Sequence, residues 1–520
     1  MMYLFLWAAS SQGGYQVILI PRISITPEYV DNLFSSHDNE AYDYITVISP
    51  GITAQITEKT RGATLSYDLG YSCYDSFPQF NTLRHNAQFS GWVGFSKHTR
   101  LDFQNAFMLT EESVTKIEDS SDETETPLAE SKKHIAEKET VRKSIEHHYT
   151  YDAMIAFTHQ FGESDALSMK YAYSILENED PTIEDKISHT PSVDVTYWFI
   201  PRQLSMEGGV SYTRDEFSDT YESPGYWEES VNPILGLNYW FIPDRFGVQT
   251  GVSYTTGEYS NRSDGLNHWY KNTNPSVSLT YRPKFYQLEF EAGLSCKRGR
   301  FSDPSDDFDN WSGNVGVSKQ FTKKLGGFVK YSHSVMDFKG NGENYTIYDP
   351  SVGITYTPDE GVPVSLSIGY FFRNRQINEN ESAISLNGDI GKTWTISRYG
   401  SVSFKTSSGY DEDYLGAEKM GFGIYYDAGF TGKYVFSKEL SGDVYGSYRR
   451  DKYDDLETTR DDETRELGSG LVFQKKWFAV RVDYSHRTVN STLSENDYEE
   501  NRIRWQVTLA PFRPIRILQF

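Results

Sequence analysis

Only two cysteines occur in 520 residues, Cys73 and Cys296, so no disulfide framework can organise the chain. Neither sits in a lipobox near the start, which argues against a lipoprotein anchor, and both fall at apolar, alternate positions where they are expected to face lipid. Apolar residues are scarce too, at 38% of the chain with a mean hydropathy of −0.59. No uninterrupted apolar run reaches the ~18 residues that would suggest a spanning helix. Lys and Arg number 50 against 73 Asp and Glu, a net charge of −23, which disfavours nucleic acid as a partner. Catalytic signatures are missing: there is no nucleophile elbow, P-loop or HExxH motif. His147-His148 could in principle hold a metal, but neighbours on a strand point to opposite faces, so a shared ion is not expected. The expectation is a non-enzyme without cofactor or metal.

What the chain does contain is a repeat. TPSVDVTYW from Thr190, NPILGLNYW from Asn232, NPSVSLTYR from Asn274 and DPSVGITYT from Asp349 are near-copies. Each opens polar-Pro, alternates apolar and polar residues, and ends on an aromatic residue beside a tight turn. Period-two alternation means a strand with one oily and one wet face. Short turns recur near Lys59, His98, Gly162, Pro201, Pro243, Pro283, Lys323, Glu360, Arg398, Lys438 and Lys476. Most are about 37 to 42 residues apart, the spacing of two strands with two unequal connections. Longer polar connections lie opposite, as at Asp31 to Tyr42, Asp215 to Glu228, Phe301 to Asn310 and Lys452 to Asp462. The count implies roughly 24 antiparallel strands, within about 22 to 26.

Each strand is expected to run about 10 to 14 residues, long enough to cross a bilayer when tilted. Leu204, Met206, Gly208, Val210 and Tyr212 alternate with Ser205, Glu207, Gly209, Ser211 and Thr213. Charged groups in a strand body face lipid at up to ~2–4 kcal/mol each, whereas a water-filled interior accepts them. The fold expected is therefore all-β: a transmembrane, up-and-down antiparallel β-barrel with short periplasmic turns and long extracellular loops. A propeller also repeats at about 40 residues, but it packs four short strands per period. Pore-lining candidates are Glu207, Glu289, Glu291, Asp389, Asp483, Lys170, Lys405, Arg481, Arg502 and Arg504, which would set ion and sugar preference or form salt bridges along the wall. Trp198, Phe199, Trp240, Phe241, Trp394 and Trp477 are expected in the aromatic girdles at the membrane interface. Trp92, Trp240 and Tyr426 are alternatives for rings pointing inward.

Residues 1–20 read as a truncated export signal and lead, and 21–520 as one barrel domain. Some 20 residues before the first strand are too few for the plug domain of a siderophore-type transporter. The segment 111–147 stands out as a charged insertion, expected either to fold into the lumen as a gate or to remain an external loop.

The segment from Pro21 to Tyr74 carries Pro21, Tyr29-x-Asp31-Asn32-x-Phe34, Asp43, and Pro50-Gly51 before a strand ending Tyr67 to Tyr74. The close carries Glu500-Asn501-Arg502, Pro511-x-Arg513-Pro514 and the terminal Phe520. Together these resemble the ends of a family of outer-membrane β-barrel porins found in exopolysaccharide biosynthesis clusters. The resemblance implies the bacterial outer membrane, export or surface retention of a polysaccharide, and periplasmic export proteins as partners. It also implies contact with outer-membrane lipid and lipopolysaccharide. The terminal aromatic resembles the signal read by barrel-assembly machinery. Alternatives are a general or substrate-selective nutrient porin and a closed structural or adhesive surface barrel.

Overall fold

Alternation becomes strand over almost all of the chain. A computed structural model describes residues 16–38, 40–111, 147–220, 224–260, 266–284, 287–340, 342–357, 364–397, 399–413, 421–454, 459–492, 497–511 and 515–519. The first strands are β1 (Gln16–Val30), β2 (Asp43–Glu58), β3 (Arg61–Tyr74), β4 (Thr82–Gly94), β5 (Thr99–Thr110) and β6 (His148–Gln160). Next come β7 (Ala166–Asn178), β8 (Lys186–Ile200), β9 (Leu204–Phe217), β10 (Tyr226–Ile242), β11 (Phe246–Ser260) and β12 (Asn267–Tyr281). They are followed by β13 (Leu288–Phe301), β14 (Phe308–Gln320), β15 (Leu325–Phe338), β16 (Tyr345–Tyr356), β17 (Val364–Arg375) and β18 (Glu381–Ser397). The last are β19 (Gly400–Asp413), β20 (Gly421–Val435), β21 (Leu440–Asp454), β22 (Thr459–Lys475), β23 (Phe478–Ser491), β24 (Tyr498–Leu509) and β25 (Ile515–Gln519).

From β1 to β24 each strand pairs antiparallel with its neighbours in sequence, and β1 pairs with β24, closing the ring. β25 continues the β24 edge along β1, at Gln16 to Leu19, after a break that contains Pro511 and Pro514. The wall is thus the expected 24-stranded antiparallel barrel. Nine of the eleven short turns fall between strands where the sequence placed them, and Glu360 and Arg398 lie outside the described residues; the short turns define the turn end, and the opposite connections define the loop end. Among the described residues no α-helix is present, only single 3-10 turns at Pro78–Phe80 and Pro304–Asp306.

Three local expectations are corrected. β1 begins at Gln16, inside the stretch read as a lead. Strands run up to 17 residues, so most loops are shorter than expected: Asp215 to Phe217 belong to β9 and Tyr226 to Glu228 to β10. The polar-Pro dipeptides do not open strands but lie within them. At Pro191, Pro233, Pro275 and Pro350 the ladder to the next strand loses two rungs, while the ladder to the previous strand continues. Pro50 does the same between β2 and β3. Proline has no N–H, so each sits where that neighbour would have received a donor.

Candidate pore and its mouth

Directly opposed residues of an antiparallel pair share a face, so the register carries one face around the wall. Ile23, Ile52, Leu65, Leu235, Leu294, Val315, Ile368, Leu467 and Val507 lie on one face and stay exposed. The other face holds Arg22, Asp68, Asp102, Lys170, Glu207, Glu291 and Arg504. A buried cluster identifies this second face as the interior: Tyr270, Phe301, Phe308, Met336, Ile347 and Phe371, from β12 to β17, all carry its parity.

Arg481, Asp483, Arg502 and Arg504 sit on the inner face, tied into ion pairs. Arg481 reaches Asp483 at 2.7 Å and Asp443 at 3.5 Å. Glu28 of β1, nearly buried, takes Arg504 at 2.6 Å and Arg502 at 3.1 Å across the closing seam. Glu289 accepts from Arg282 at 2.7 Å. Glu207 has only the Asn238 amide, at 3.4 Å. Glu291, Lys170 and Lys405 are exposed to the lumen, on β13, β7 and β19. Asp389 stands opposite Lys405 in the β18–β19 register, but its side chain lies outside the described set.

Away from these pairs, the inner faces of β3 to β8 form a recess of about 480 Å³. Hydroxyls and amides dominate it, including Ser66, Gln88, Gln104, Ser174 and Thr190, with Asp152 the one carboxylate among its lining residues. Trp92 projects inward below it, with the Arg100 guanidinium 5.0 Å from its ring. Near the loop end Glu111 is buried and accepts from Arg84, from the Ser72 hydroxyl at 2.7 Å and from the Tyr74 hydroxyl at 3.0 Å. Residues 112–146, the expected gate, lie outside the described residues.

The turn end carries a belt of outward rings. Tyr197 and Phe199 meet edge to face at 4.9 Å, Tyr239 and Phe241 at 4.5 Å, and Phe241 continues to Phe246 at 5.0 Å. Trp477 is exposed in the turn after β22, and the Trp394 side chain lies outside the described set. Trp198 and Trp240 are corrected: pairing with Ser205 and Gly247 puts them on the inner face. Adjacent strand residues cannot both face lipid, and the outward place is taken by Phe199 and Phe241. Tyr426 shares the parity of Phe404 and Phe430 and stands opposite Ser408, where β18 and β19 part.

The mouth is narrowed by the wall itself. β18 and β19 pair only from Asn387/Ser407 toward the turn end. Beyond that the Ser408 hydroxyl takes the place of the strand, accepting from the Leu386 N–H at 2.7 Å and donating to the Ile384 carbonyl. The loop-end halves of β19 and β20 stay paired to each other but turn inward. Tyr410 and Phe422, which share the outward parity of Phe404 and Phe430, therefore face the inside of β16 and β17. Tyr410 meets Phe371 at 5.0 Å, and a buried cluster of Tyr270, Phe301, Phe308, Met336, Ile347 and Phe371 continues around the rim. Arg373, 4% exposed, is clamped between the Phe422 ring at 3.8 Å and the Tyr345 ring at 4.2 Å, and donates to Glu381 at 3.0 Å. Alternation could not reveal this contact, because it gives the face of each residue and not a strand that leaves the wall.

Residues 382–510, spanning β18 to β24, match the family model described as "putative beta-barrel porin 2". No curated protein sequence matches significantly. Among solved structures the chain is similar to the FrpB iron transporter of Neisseria meningitidis in its apoprotein form, with TM-score 0.52 and 9% identity over 94% of this chain and 81% of that one. It is also similar to a mutant of the ferric enterobactin receptor PfeA of Pseudomonas aeruginosa, with TM-score 0.54 and 9% identity over 95% and 80%. At such identities the likeness shows the fold, an outer-membrane-type β-barrel, and not the cargo.

Proposed function

We propose that this barrel is an outer-membrane channel or scaffold for export or surface retention of an extracellular polysaccharide. The observation that supports it most is the division of the inner wall. Arg481, Arg502, Arg504 and Arg282 are held by carboxylates, whereas the recess of β3 to β8 offers hydroxyls and amides to the lumen. Such a surface hydrogen-bonds a hydrated, polyhydroxylated chain without trapping it electrostatically. A wall of 24 strands is also wide enough, since about 16 to 18 already leave an aqueous channel. The partners are outer-membrane lipid, barrel-assembly machinery and periplasmic export proteins. The test is a deletion strain complemented with the wild-type chain: surface glycan falls on deletion and returns on complementation. Unchanged glycan output overturns the proposal.

A second reading, a closed structural or adhesive barrel, is favoured by one observation, the loop-end halves of β19 and β20 turned inward onto β16 and β17, where Phe422 packs on Arg373. It requires zero conductance in planar bilayers, where the channel reading gives discrete openings.

A further inference from the structure

We propose that the outward face of β12 to β15 at the loop end docks the phosphorylated headgroup of a glycolipid from the surrounding bilayer; this rests on the membrane-spanning reading above. The position comes first. On these strands the outward side chains Leu279, Leu294, Val315 and Val329 form the apolar band, with Leu294 66% exposed. Toward the loop end come Trp311 and Trp269, both exposed. Level with these rings and just beyond them stand Lys271, Arg298, Arg300 and Lys339. Cations there meet the headgroup layer rather than acyl chains.

The arrangement of charge comes second. Lys271 and Arg300 are directly opposed on the same face of the β12–β13 ladder. Like charges so placed repel, and an anion between them reverses the sign. Arg298 stands on the same face, two residues from Arg300. Asp309 relieves the cluster from its β14 side, at 2.7 Å from Arg300, 3.2 Å from Lys339 and 3.9 Å from Arg298, and Asp307 lies 3.8 Å from Arg300. Asp337 is occupied by Lys339, and Glu258 stands opposite Trp269. Among the described residues Lys271 has no carboxylate within ion-pair distance.

The tryptophans hold Lys271 and Arg298 in place. The Lys271 ammonium lies 5.0 Å from the Trp269 ring and the Arg298 guanidinium 5.8 Å from Trp311. A third pair, Arg214 at 5.9 Å from Trp227, repeats the motif on the outward face of β9 and β10. Local cations on a chain of net charge −23, set at the rim of an apolar band, complement a lipid whose sugar carries phosphate.

The experiment uses the full chain and the Lys271→Gln/Arg298→Gln double variant, which leaves the Arg300–Asp309 and Lys339–Asp309 pairs in place. Each is folded into vesicles of phosphatidylcholine alone, with lipid A, or with dephosphorylated lipid A, and folding is checked by heat-modifiable gel mobility. Lipid retained after detergent exchange is then counted by mass spectrometry. The wild-type chain retains lipid A about tenfold over the dephosphorylated form, and the double variant loses that preference. Equal retention of both lipids, or an unchanged preference in the folded double variant, overturns the proposal. Failure to insert even into plain phosphatidylcholine instead overturns the membrane reading on which it rests.

Discussion

At the scale of single residues, the informative side chains are those whose surroundings differ from what alternation implies. Arg373 was legible only as an inward-parity residue of a strand. Its burial between two rings comes from the loop-end half of β20 turning inward against β16 and β17. Desolvated cation–π contact contributes about 2 kcal/mol, and breaking a buried ion pair costs about 3–5 kcal/mol. Arg373→Ala is therefore expected to destabilise the barrel by about 3 kcal/mol and to raise single-channel conductance, read in planar bilayers beside Phe422→Ala. Glu343, in the loop after β15, gives a pH-dependent counterpart. Burial opposes its ionisation, but the main-chain N–H groups of Asn378 and Ile377, the Asn378 amide and Arg375 hold its carboxyl down at about 2. A depressed carboxyl stabilises fully above its unfolded value of 4.5 and loses that contribution as pH falls toward about 2. The protection factor for hydrogen exchange at Ile377 and Asn378, taken relative to the intrinsic rate at each pH, is thus expected to fall over that window. In Glu343→Gln that protection should be low already at neutral pH and should not change with pH.

Among elements, the joint between first and last strands brings the two ends of the sequence together. Asp31 accepts from the Asn501 main-chain N–H at 2.6 Å and its side-chain amide at 2.7 Å, and the Asn32 amide donates to the Glu499 carbonyl at 2.9 Å. Glu28 clamps Arg502 and Arg504 on the same seam. Residues more than four hundred positions apart thereby close the ring, and removing the Glu28 charge takes the carboxylate from Arg504 while Arg502 keeps Glu500 at 3.2 Å. Glu28→Gln is expected to cost about 3 kcal/mol and lower the temperature at which gel mobility shifts to the unfolded form. Glu216→Gln, on an exposed carboxylate near the loop end of β9, should change it little. The same scale holds the errors in strand ends. Polar loop-end residues such as Asp215 and Lys452 look like loop, yet a barrel strand continues past the bilayer because its neighbours supply hydrogen bonds there.

For the whole molecule, one pair of neighbours tests where lipid and water lie. Leu294 points outward in the middle of the apolar band, and Ser295 points inward, its hydroxyl 2.6 Å from that of Ser312. Leu294→Arg is expected to cost about 2–4 kcal/mol in folding titrations into vesicles. Ser295→Arg should cost about 1 kcal/mol, the worth of one hydrogen bond. A reversed order would put water outside and end the membrane reading. The number of strands, the turns and the sidedness of most inner charges were legible in the sequence, because period two is a local property that each strand displays by itself. The aromatic belt was half legible, since Phe199 and Phe241 compete with Trp198 and Trp240 for one outward place. What only the tertiary structure decided is where distant strands meet: the Glu28 seam, the buried Glu111 beside Arg84, and the loop-end halves of β19 and β20 packed against Arg373 on β17. Those contacts depend on closure of the ring, and a face pattern says which way a side chain points without saying what stands on the other side.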